Sequence, residues 1–316
     1  MTQQLFVVDP LGPWRIDQDS SFGLMLQAQS RGHQIYSCNL EGLIARDGKG
    51  FARCQHTLVR EVQGDHFELG GVEEKPLGDF DLIWMRKDPP FDMTYVAATW
   101  ILDLAPPTTC VVNHPEGLRS WNEKCTVLRF PDHCPRCIVS RDMAEILAFC
   151  REMGSAVLKP LSFSGGAGIV ALHPGDLNAR SLVEISTRGG KEFILVQQYL
   201  PAITEGDKRV ILVDGVARGA LLRVPPDDDL RGNIHVGAEV KFVPLTPAEQ
   251  AVCDALEKPL RDAGHVFVGI DLIGERLTEI NVTSPTGIRE IHAMGGPDLA
   301  AELMDAAFAR RARRLH

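Results

Sequence analysis

The stretch Gly269-Ile270-Asp271-Leu272-Ile273-Gly274, followed by Leu277-Thr278-Glu279-Ile280-Asn281, constrains this chain more than any other. Two short apolar runs flank the breaker Gly274-Glu275-Arg276, which predicts two strands joined by a turn, with Asp271, Glu279 and Asn281 near their ends. Residues two apart share one face of a strand, so Glu279 and Asn281 project together. Two carboxylates and an amide oxygen are hard donors, suited to magnesium that also touches phosphates. An ordinary hairpin with solvated acids has the same spacing, and the pattern alone leaves both readings open.

The remainder of the chain alternates strand-like and helix-like segments. Leu5–Val8, Gln34–Cys38, Leu82–Met85 and Cys110–Val112 read as buried strands, with helices at the Asp19-Ser20-Ser21 cap and at Met93–Leu104. This describes an α/β unit over residues 1–115. Cys137–Val139, a helix at Met143–Met153, Ala156–Lys159 and Ile169–Leu172 form a second group. From residue 191 strands dominate: Phe193–Tyr199, Arg209–Val213, Ala217–Arg223, Val236–Phe242, Val266–Ile273 and Leu277–Val282. Helices are expected at Pro247–Ala263 and Asp298–Arg314.

Composition narrows the function classes. The 316 residues carry 33 Lys and Arg against 42 Asp and Glu, a net charge of −9, which disfavours a nucleic-acid partner because phosphate contacts need a concentrated basic surface. The run Arg310, Arg311, Arg313, Arg314 reads as the last turn of a helix, where cations oppose the dipole. No apolar run approaches the ~20 residues of a membrane span, and no signal peptide is visible, so a cytoplasmic enzyme without a membrane partner is expected. The eight cysteines are scattered, unlike a secreted disulfide framework. Cys134-Pro135-Arg136-Cys137 has redox or zinc-knuckle spacing, but no second Cys or His pair follows at zinc-finger distance; two reduced thiols at a strand entrance are the favoured reading.

Lysines supply charge complementary to the acids. Lys159 ends an apolar strand just before Ser162-Phe163-Ser164-Gly165-Gly166-Ala167-Gly168, and Lys124 closes Trp121-Asn122-Glu123-Lys124. The glycine stretch connects two strands, so it is neither a Walker A loop nor a dinucleotide fingerprint, both of which open a helix. A lysine facing such a loop can hold nucleotide phosphates. Either lysine alone reads as a surface residue; the positions of the two relative to the glycine loop and the acid cluster are what point to phosphate.

Taken together, Lys124, Lys159-Pro160 with the glycine loop, Gln197-Gln198-Tyr199-Leu200 and the Asp271…Glu279-Ile280-Asn281 hairpin resemble the ATP-grasp ligases. Asp19–Phe22, Arg86–Phe91, Gly206–Arg209, Arg231-Gly232-Asn233 and Asn281–Glu290 narrow the resemblance to the bacterial type of glutathione synthetase, from end to end and in the same order. The resemblance implies an α/β (α+β) chain: a Rossmann-like pre-ATP-grasp domain at 1–119, a small lid subdomain at 120–190 and a C-terminal subdomain at 191–316. It implies ATP-dependent ligation of γ-glutamylcysteine to glycine through an acyl phosphate, with release of ADP and phosphate, and with no catalytic cysteine. The implied cofactors are ATP and magnesium, with manganese as the alternative ion, and the implied assembly is a homo-oligomer, a dimer or tetramer.

By the same resemblance, Lys124 and Lys159 hold phosphates under Gly165, Gly166 and Gly168. Gln197, Gln198, Tyr199 and Leu200 form the wall against adenine, and Asp207 meets the ribose. Asp271, Glu279 and Asn281 are the metal ligands, with Asn281 also near the nucleotide. Arg209 and Arg231 are placed at the transferred phosphoryl group. Ser284, Pro285 and Thr286 face the peptide substrate, and Ser20, Arg86 and Arg223 are candidates for its carboxylates, where an Arg fork suits bidentate binding. A structural ion pair is the alternative for each arginine alone.

Two loops depart from the family pattern. The family's mobile loop commonly begins Asp-Gly-Met-Gly-Gly, where this chain has Ser162-Phe163-Ser164-Gly165-Gly166, and Asn233–Gly237 is poorer in glycine than usual. Alternative readings are another ATP-grasp carboxylate–amine ligase and a nucleotide-binding regulator without turnover. The regulator would be favoured by a lost lysine or metal acid, and none is lost. A dehydrogenase lacks support, since no strand–GxGxxG–helix exists near the N-terminus.

Overall fold

Short polar caps and apolar runs fix most element boundaries locally. In the computed structural model, which describes residues 1–163, 165–224 and 239–314, the Asp19 carboxylate accepts from the Phe22 amide and opens helix α1 (Ser20–Ser30). Strands β1 (Gln3–Val7), β2 (Gln34–Cys38), β6 (Leu82–Met85) and β7 (Cys110–Val112) are parallel neighbours in the order β2-β1-β6-β7. Their near-continuous apolar runs are buried on both faces, as a parallel sheet requires. Helices α1 and α2 (Met93–Leu102) accompany this sheet.

Residues 39–81 held no expected element, yet they extend the sheet with antiparallel strands β3 (Leu43–Arg46), β4 (Lys49–Val59) and β5 (Phe67–Pro76). Most of β5 is exposed and carries Glu68, Glu73, Glu74 and Lys75 without apolar alternation. Its strand character comes from pairing with β4, a non-local partner that local pattern does not reveal.

After the short helix α3 (Pro115–Ser120) comes a second sheet. It is antiparallel in the order β10-β9-β11-β8, formed by β8 (Cys137–Ser140), β9 (Ala156–Pro160), β10 (Val170–Leu172) and β11 (Ile194–Gln198). Helices α4 (Met143–Met153) and α5 (Ala179–Ser186) bury Ile146, Phe149 and Val183 against Leu158 and Val196. Because β11 lies between β9 and β8, this sheet runs past the expected break at 190/191. The third sheet, also antiparallel, has the order β14-β13-β12-β15-β16. Its strands are β12 (Asp207–Val213), β13 (Val216–Val224), β14 (Glu239–Phe242), β15 (Phe267–Ile273) and β16 (Arg276–Asn281). Helix α6 (Pro247–Asp262) opens on a Thr246–Glu249 capping box; α7 (Ile288–Ala293) and α8 (Leu299–Arg314) follow.

Helix α8 returns to the first sheet and packs on α1 and β7. The C-terminal arginines do occupy its last turns, and they also clamp it: Arg311 pairs with Asp81 at 2.7 Å, while Arg310 and Arg313 reach Asp214 at 3.3 and 3.2 Å. Among the described residues no helix is long and apolar enough to cross a membrane. Arg231 and the Asn233–Gly237 segment lie outside the described residues.

One side chain joins the first and third sheets. Asn113, 3% exposed just after β7, donates to the carbonyls of Phe267 and Val282, both at 2.7 Å, and accepts from the amides of Val266 and Phe267 at 2.8 and 2.9 Å. All four hydrogen-bonding positions of the amide are filled. The neighbouring contact is equally close: a Cβ at Gly117 would lie 2.3 Å from the Ala263 carbonyl and 3.0 Å from the His265 ring, so α3 needs glycine there.

Asn113→Leu should leave four buried backbone groups without partners and cost about 3 kcal/mol or more in the first denaturant transition. A loss below ~1 kcal/mol would show that the joint does not depend on this amide. His265 is fully buried against Trp121, and burial, aided by Arg310, pushes its pKa down to about 3. The unfolded chain therefore binds a proton that the fold refuses between pH ~6.5 and ~3, so stability falls as pH falls through that window. From pH 7 to 4.5 the native protein should lose about 2 kcal/mol more than a His265→Phe variant. Parallel stability–pH curves would refute this.

Candidate functional site

The hairpin β15–β16 forms one wall of a cleft between the second and third sheets. Gly274 and Glu275 have φ of 52° and 64°, a tight two-residue turn with both central residues left-handed, so Arg276 belongs to the strand rather than to the turn. The register sets Asp271 opposite Glu279 and Gly269 opposite Asn281. Like charges directly across a sheet repel. The register of the neighbouring strands supplies the remedy, because Arg209 lies opposite Asp271 and Arg223 opposite Asp207.

A row of charged side chains therefore crosses four strands, two arginines among three carboxylates. Arg209 grips Asp271 with two bonds, Nε to Oδ1 at 2.6 Å and Nη2 to Oδ2 at 2.9 Å, and Arg223 Nη2 lies 3.0 Å from Asp271 Oδ1 and 2.5 Å from Asp207 Oδ2. Asn281 donates to Asp271 at 3.2 Å, and Lys159 from β9 reaches Glu279 at 3.2 Å. Burial would raise the Asp271 pKa, but Arg209 and Arg223 overcome it and hold this carboxyl well below the usual range. Asp207 gains less compensation: burial, with repulsion from Asp271, lifts its pKa to about 6.

Lys124 enters from the opposite side. Its ammonium pairs with Glu123 and donates to the Phe163 carbonyl at 2.5 Å, while the Ile280 amide donates to the Glu123 carbonyl at 2.9 Å and so docks this segment onto β16. Burial works to lower the Lys124 pKa, but Glu279 and Glu123 more than reverse it. Burial raises the Glu123 pKa, opposed by Lys124.

The cleft has a volume of about 700 Å³, and most of the residues singled out in the sequence line it: Lys124, Lys159, Gly165, Gly166, Gln197, Gln198, Tyr199, Leu200, Asp207, Arg209, Arg223, Asp271, Glu279, Asn281, Ser284, Pro285 and Thr286. Gln197 is anchored by donation to the Thr278 carbonyl at 3.3 Å. Gly165 and Gly166 adopt φ of 65° and 82°, where glycine costs least. Gly168 does not line the cleft and packs near Pro160 and Phe163.

Ser20 and Arg86 also stand outside the lining. Ser20 is buried at the start of α1, next in sequence to the Ser21 that Arg86 reaches. Arg86, 4% exposed, lies behind the wall: it donates to Ser21 Oγ at 3.1 Å and to the Pro285 carbonyl at 2.8 Å, with its guanidinium over the Phe267 ring. Burial brings its pKa down to about 10. It therefore holds the Ser284–Thr286 segment in place. Sequence reasoning passed over Glu123, Asp88 and Pro89, which do line the cleft. Their signal was an acid adjoining a chemically prominent lysine and a Pro-Pro pair inside Arg86–Phe91.

The donor set fits a hard divalent cation in chemistry. Asp271, Glu279 and Asn281 offer oxygens from adjacent strands, and cationic side chains already stand against the carboxylates. Among the described residues no cluster of three or more His, Cys, Asp or Glu is placed to hold a metal by itself, so an ion here would need further oxygen donors.

A lysine- and arginine-lined cleft between two antiparallel sheets, with a carboxylate hairpin in its wall, defines an ATP-grasp ligase. Solved structures share this fold: a D-cycloserine synthetase has a TM-score of 0.68 at 14% identity, covering 98% of this chain and 99% of its own, and an ATP-grasp ligase complexed with a minimal precursor has 0.62 at 19%, covering 98% of each. Residues 2–119 match the N-terminal domain of prokaryotic glutathione synthetase, and residues 123–296 match its ATP-grasp domain. The glutathione synthetase of Mesorhizobium japonicum is 43% identical over 304 residues, 96% of this chain and 97% of that protein. That of Synechococcus elongatus is 44% identical over 311 residues, 95% and 96% of the two chains. The chain belongs to the prokaryotic glutathione synthetase family and is an ATP-dependent ligase.

Asp271→Asn should destabilise the ligand-free protein by about 3 kcal/mol, since it strips the shared counter-charge from two buried guanidinium groups. Denaturation of the variant without nucleotide measures this directly. An unchanged midpoint would mean the charge row is not a structural unit.

Proposed function

We propose that this chain joins γ-glutamylcysteine to glycine, using ATP to make the cysteinyl carboxylate electrophilic. A carboxylate has no good leaving group, so its oxygen must first take the γ-phosphoryl group from ATP, releasing ADP. The glycine amine then attacks the acyl carbon, loses a proton, and phosphate departs. Such a sequence needs positioning and charge neutralisation, with no covalent enzyme nucleophile.

The observation that carries this reading is that, among the described residues, every cation lining the cleft is already matched by a carboxylate. Lys159 sits on Glu279, Lys124 on Glu123, and Arg209 and Arg223 on Asp271 and Asp207. Nucleotide phosphates would take over the lysines, and the freed Glu279 and Asn281, beside Asp271, would hold magnesium. Bound there, magnesium neutralises phosphate charge and orients the reacting oxygens. Arg209 remains anchored by Asp271 through Nε and Nη2, and from the cleft wall its Nη1, 3.4 Å from the Thr286 carbonyl, would stabilise the phosphoryl group in transfer. Gln197 to Leu200 would face adenine, and Asp207, whose Oδ1 has no hydrogen-bond partner among the described residues, would accept from the ribose.

Ser284, Pro285 and Thr286, with Arg223, would hold the dipeptide, with Arg86 fixing Pro285 from behind. We further propose that the lid subdomain extends through β11, so that the break before the C-terminal subdomain falls at 199–206. The substrates are small molecules, and the homo-oligomer remains part of the proposal.

Phosphate release should require ATP, magnesium, γ-glutamylcysteine and glycine together, and Glu279→Gln should lower it at least ~100-fold, given the metal's share in phosphoryl transfer. Wild-type turnover in that variant at ordinary magnesium would remove Glu279 from the metal site. Equal turnover with unrelated acids would remove the substrate assignment.

A further inference from the structure

The pair Cys134 and Cys137 is left without a role by the ligase chemistry. All eight cysteines are free thiols, and in seven of them burial or a neighbouring thiol raises the pKa. Cys134 differs. The Cys137 thiol hydrogen-bonds to its sulfur and, helped by Arg276, brings the Cys134 pKa down to about 7 against the effect of burial, while Cys137 itself is pushed up. One sulfur is thus shifted toward the thiolate, and the group that shifts it is a second thiol three residues on. Among the described residues no third His, Cys, Asp or Glu joins them in a group that could hold a metal ion.

The pair also bridges the two walls of the cleft. On its N-terminal side the His133 carbonyl accepts from Leu277 at 2.9 Å, and the Asp132 carbonyl accepts from Arg276 at 3.0 Å, both on β16. On its C-terminal side the Arg136 carbonyl accepts from the Gln198 amide at 2.8 Å, and Cys137 lies opposite Gln197 in the register of β8 with β11. The four residues Cys134–Cys137 therefore connect the hairpin that carries Glu279 to the strand that carries Gln197 and Gln198.

We propose that Cys134 and Cys137 are a hydroperoxide-sensitive dithiol whose disulfide weakens nucleotide binding in the adjoining cleft. Cys134 is 8% exposed, so a small oxidant suits it better than a bulky one. The Cys134 thiolate attacks one peroxide oxygen, the O–O bond breaks, and hydroxide leaves, giving a sulfenic acid. The Cys137 sulfur then attacks Cys134, the S–O bond breaks, and the second hydroxide leaves. With the two thiol protons, the products are one disulfide and two waters, and two electrons have passed from the thiols to the peroxide. Two equivalents of a small thiol reverse the step by exchange. The disulfide draws the two sulfurs together and so shifts β11 against β16. The effect on ATP rests on the nucleotide reading of the cleft; the disulfide does not.

Trypsin cuts after Arg129, Arg136 and Arg141, which separates Cys134 and Cys137 onto peptides 130–136 and 137–141. After hydrogen peroxide, alkylation of remaining thiols and digestion without reductant, these two peptides should appear linked, two hydrogens lighter than their sum, and separate with dithiothreitol. The oxidised protein should show a KM for ATP raised about fivefold, restored by reduction. Cys134→Ser and Cys137→Ser, each checked for native melting, should keep basal turnover and lose the peroxide response. Sulfinic acid on Cys134 without the link would overturn the dithiol. A link with unchanged KM, or inhibition that persists in both variants, would overturn the coupling. If the reduced protein binds no ATP, the nucleotide reading fails instead. Amide exchange at 194–200 then decides the coupling: faster exchange in the oxidised protein supports it and equal exchange overturns it.

Discussion

Asp271 is a carboxylate that the fold buries and must therefore neutralise. Leaving such a group ionised in a water-poor wall costs several kcal/mol unless opposite charge lies against it. The sheet meets this demand by register, setting Arg209 against Asp271 on one neighbouring strand with Arg223 arriving beside Asp207 from the next, while Glu279 on the other neighbour adds a like charge that Lys159 answers. Once these side chains are fixed, the shape and polarity of the cleft follow. Each cation has a carboxylate, each carboxylate a cation, and the set is ready to exchange partners with an anionic nucleotide and its metal.

That arrangement depends on the two flanking sheets being held still. Asn113 ties the last parallel strand to the base of β15, and Arg86 reaches from the end of β6 to the Pro285 carbonyl. Both are polar groups taken out of water and given specific partners, so they define position as well as adding stability. The N-terminal domain thus contributes to the ligase less by touching the cleft than by bracing the wall behind it. Lys124 plays the equivalent part on the other side, since its segment is docked on β16 by the Ile280 amide.

Ligase and dithiol share these connections. The segment that holds Cys134 and Cys137 borrows its backbone partners from β11 and β16, the strands that shape the nucleotide wall. A covalent change there is transmitted through hydrogen bonds already present. Chemistry at sulfur and chemistry at phosphate are thus separate in their atoms and joined in their scaffold.

Local sequence determined a large part of this protein. Helix α1 with its Asp19 cap, helix α4, and strands β2, β6 and β7 follow from short-range periodicity and capping, because burial on both faces or one face writes itself into neighbouring residues. The hairpin acids and the two lysines were legible for the same reason: unusual residue types at fixed spacing in short strands. The sequence did not reveal β3 to β5, whose polar strands exist through partners far along the chain. Nor did it show that β11 closes the second sheet, that Glu123 shares the cleft, or that Arg86 stands behind the wall while Arg223 stands in it. Those facts depend on register and on the approach of separate sheets, which are set by non-local packing and by the need to compensate buried charge. Residue types specified the available chemistry; the tertiary structure decided which charges meet.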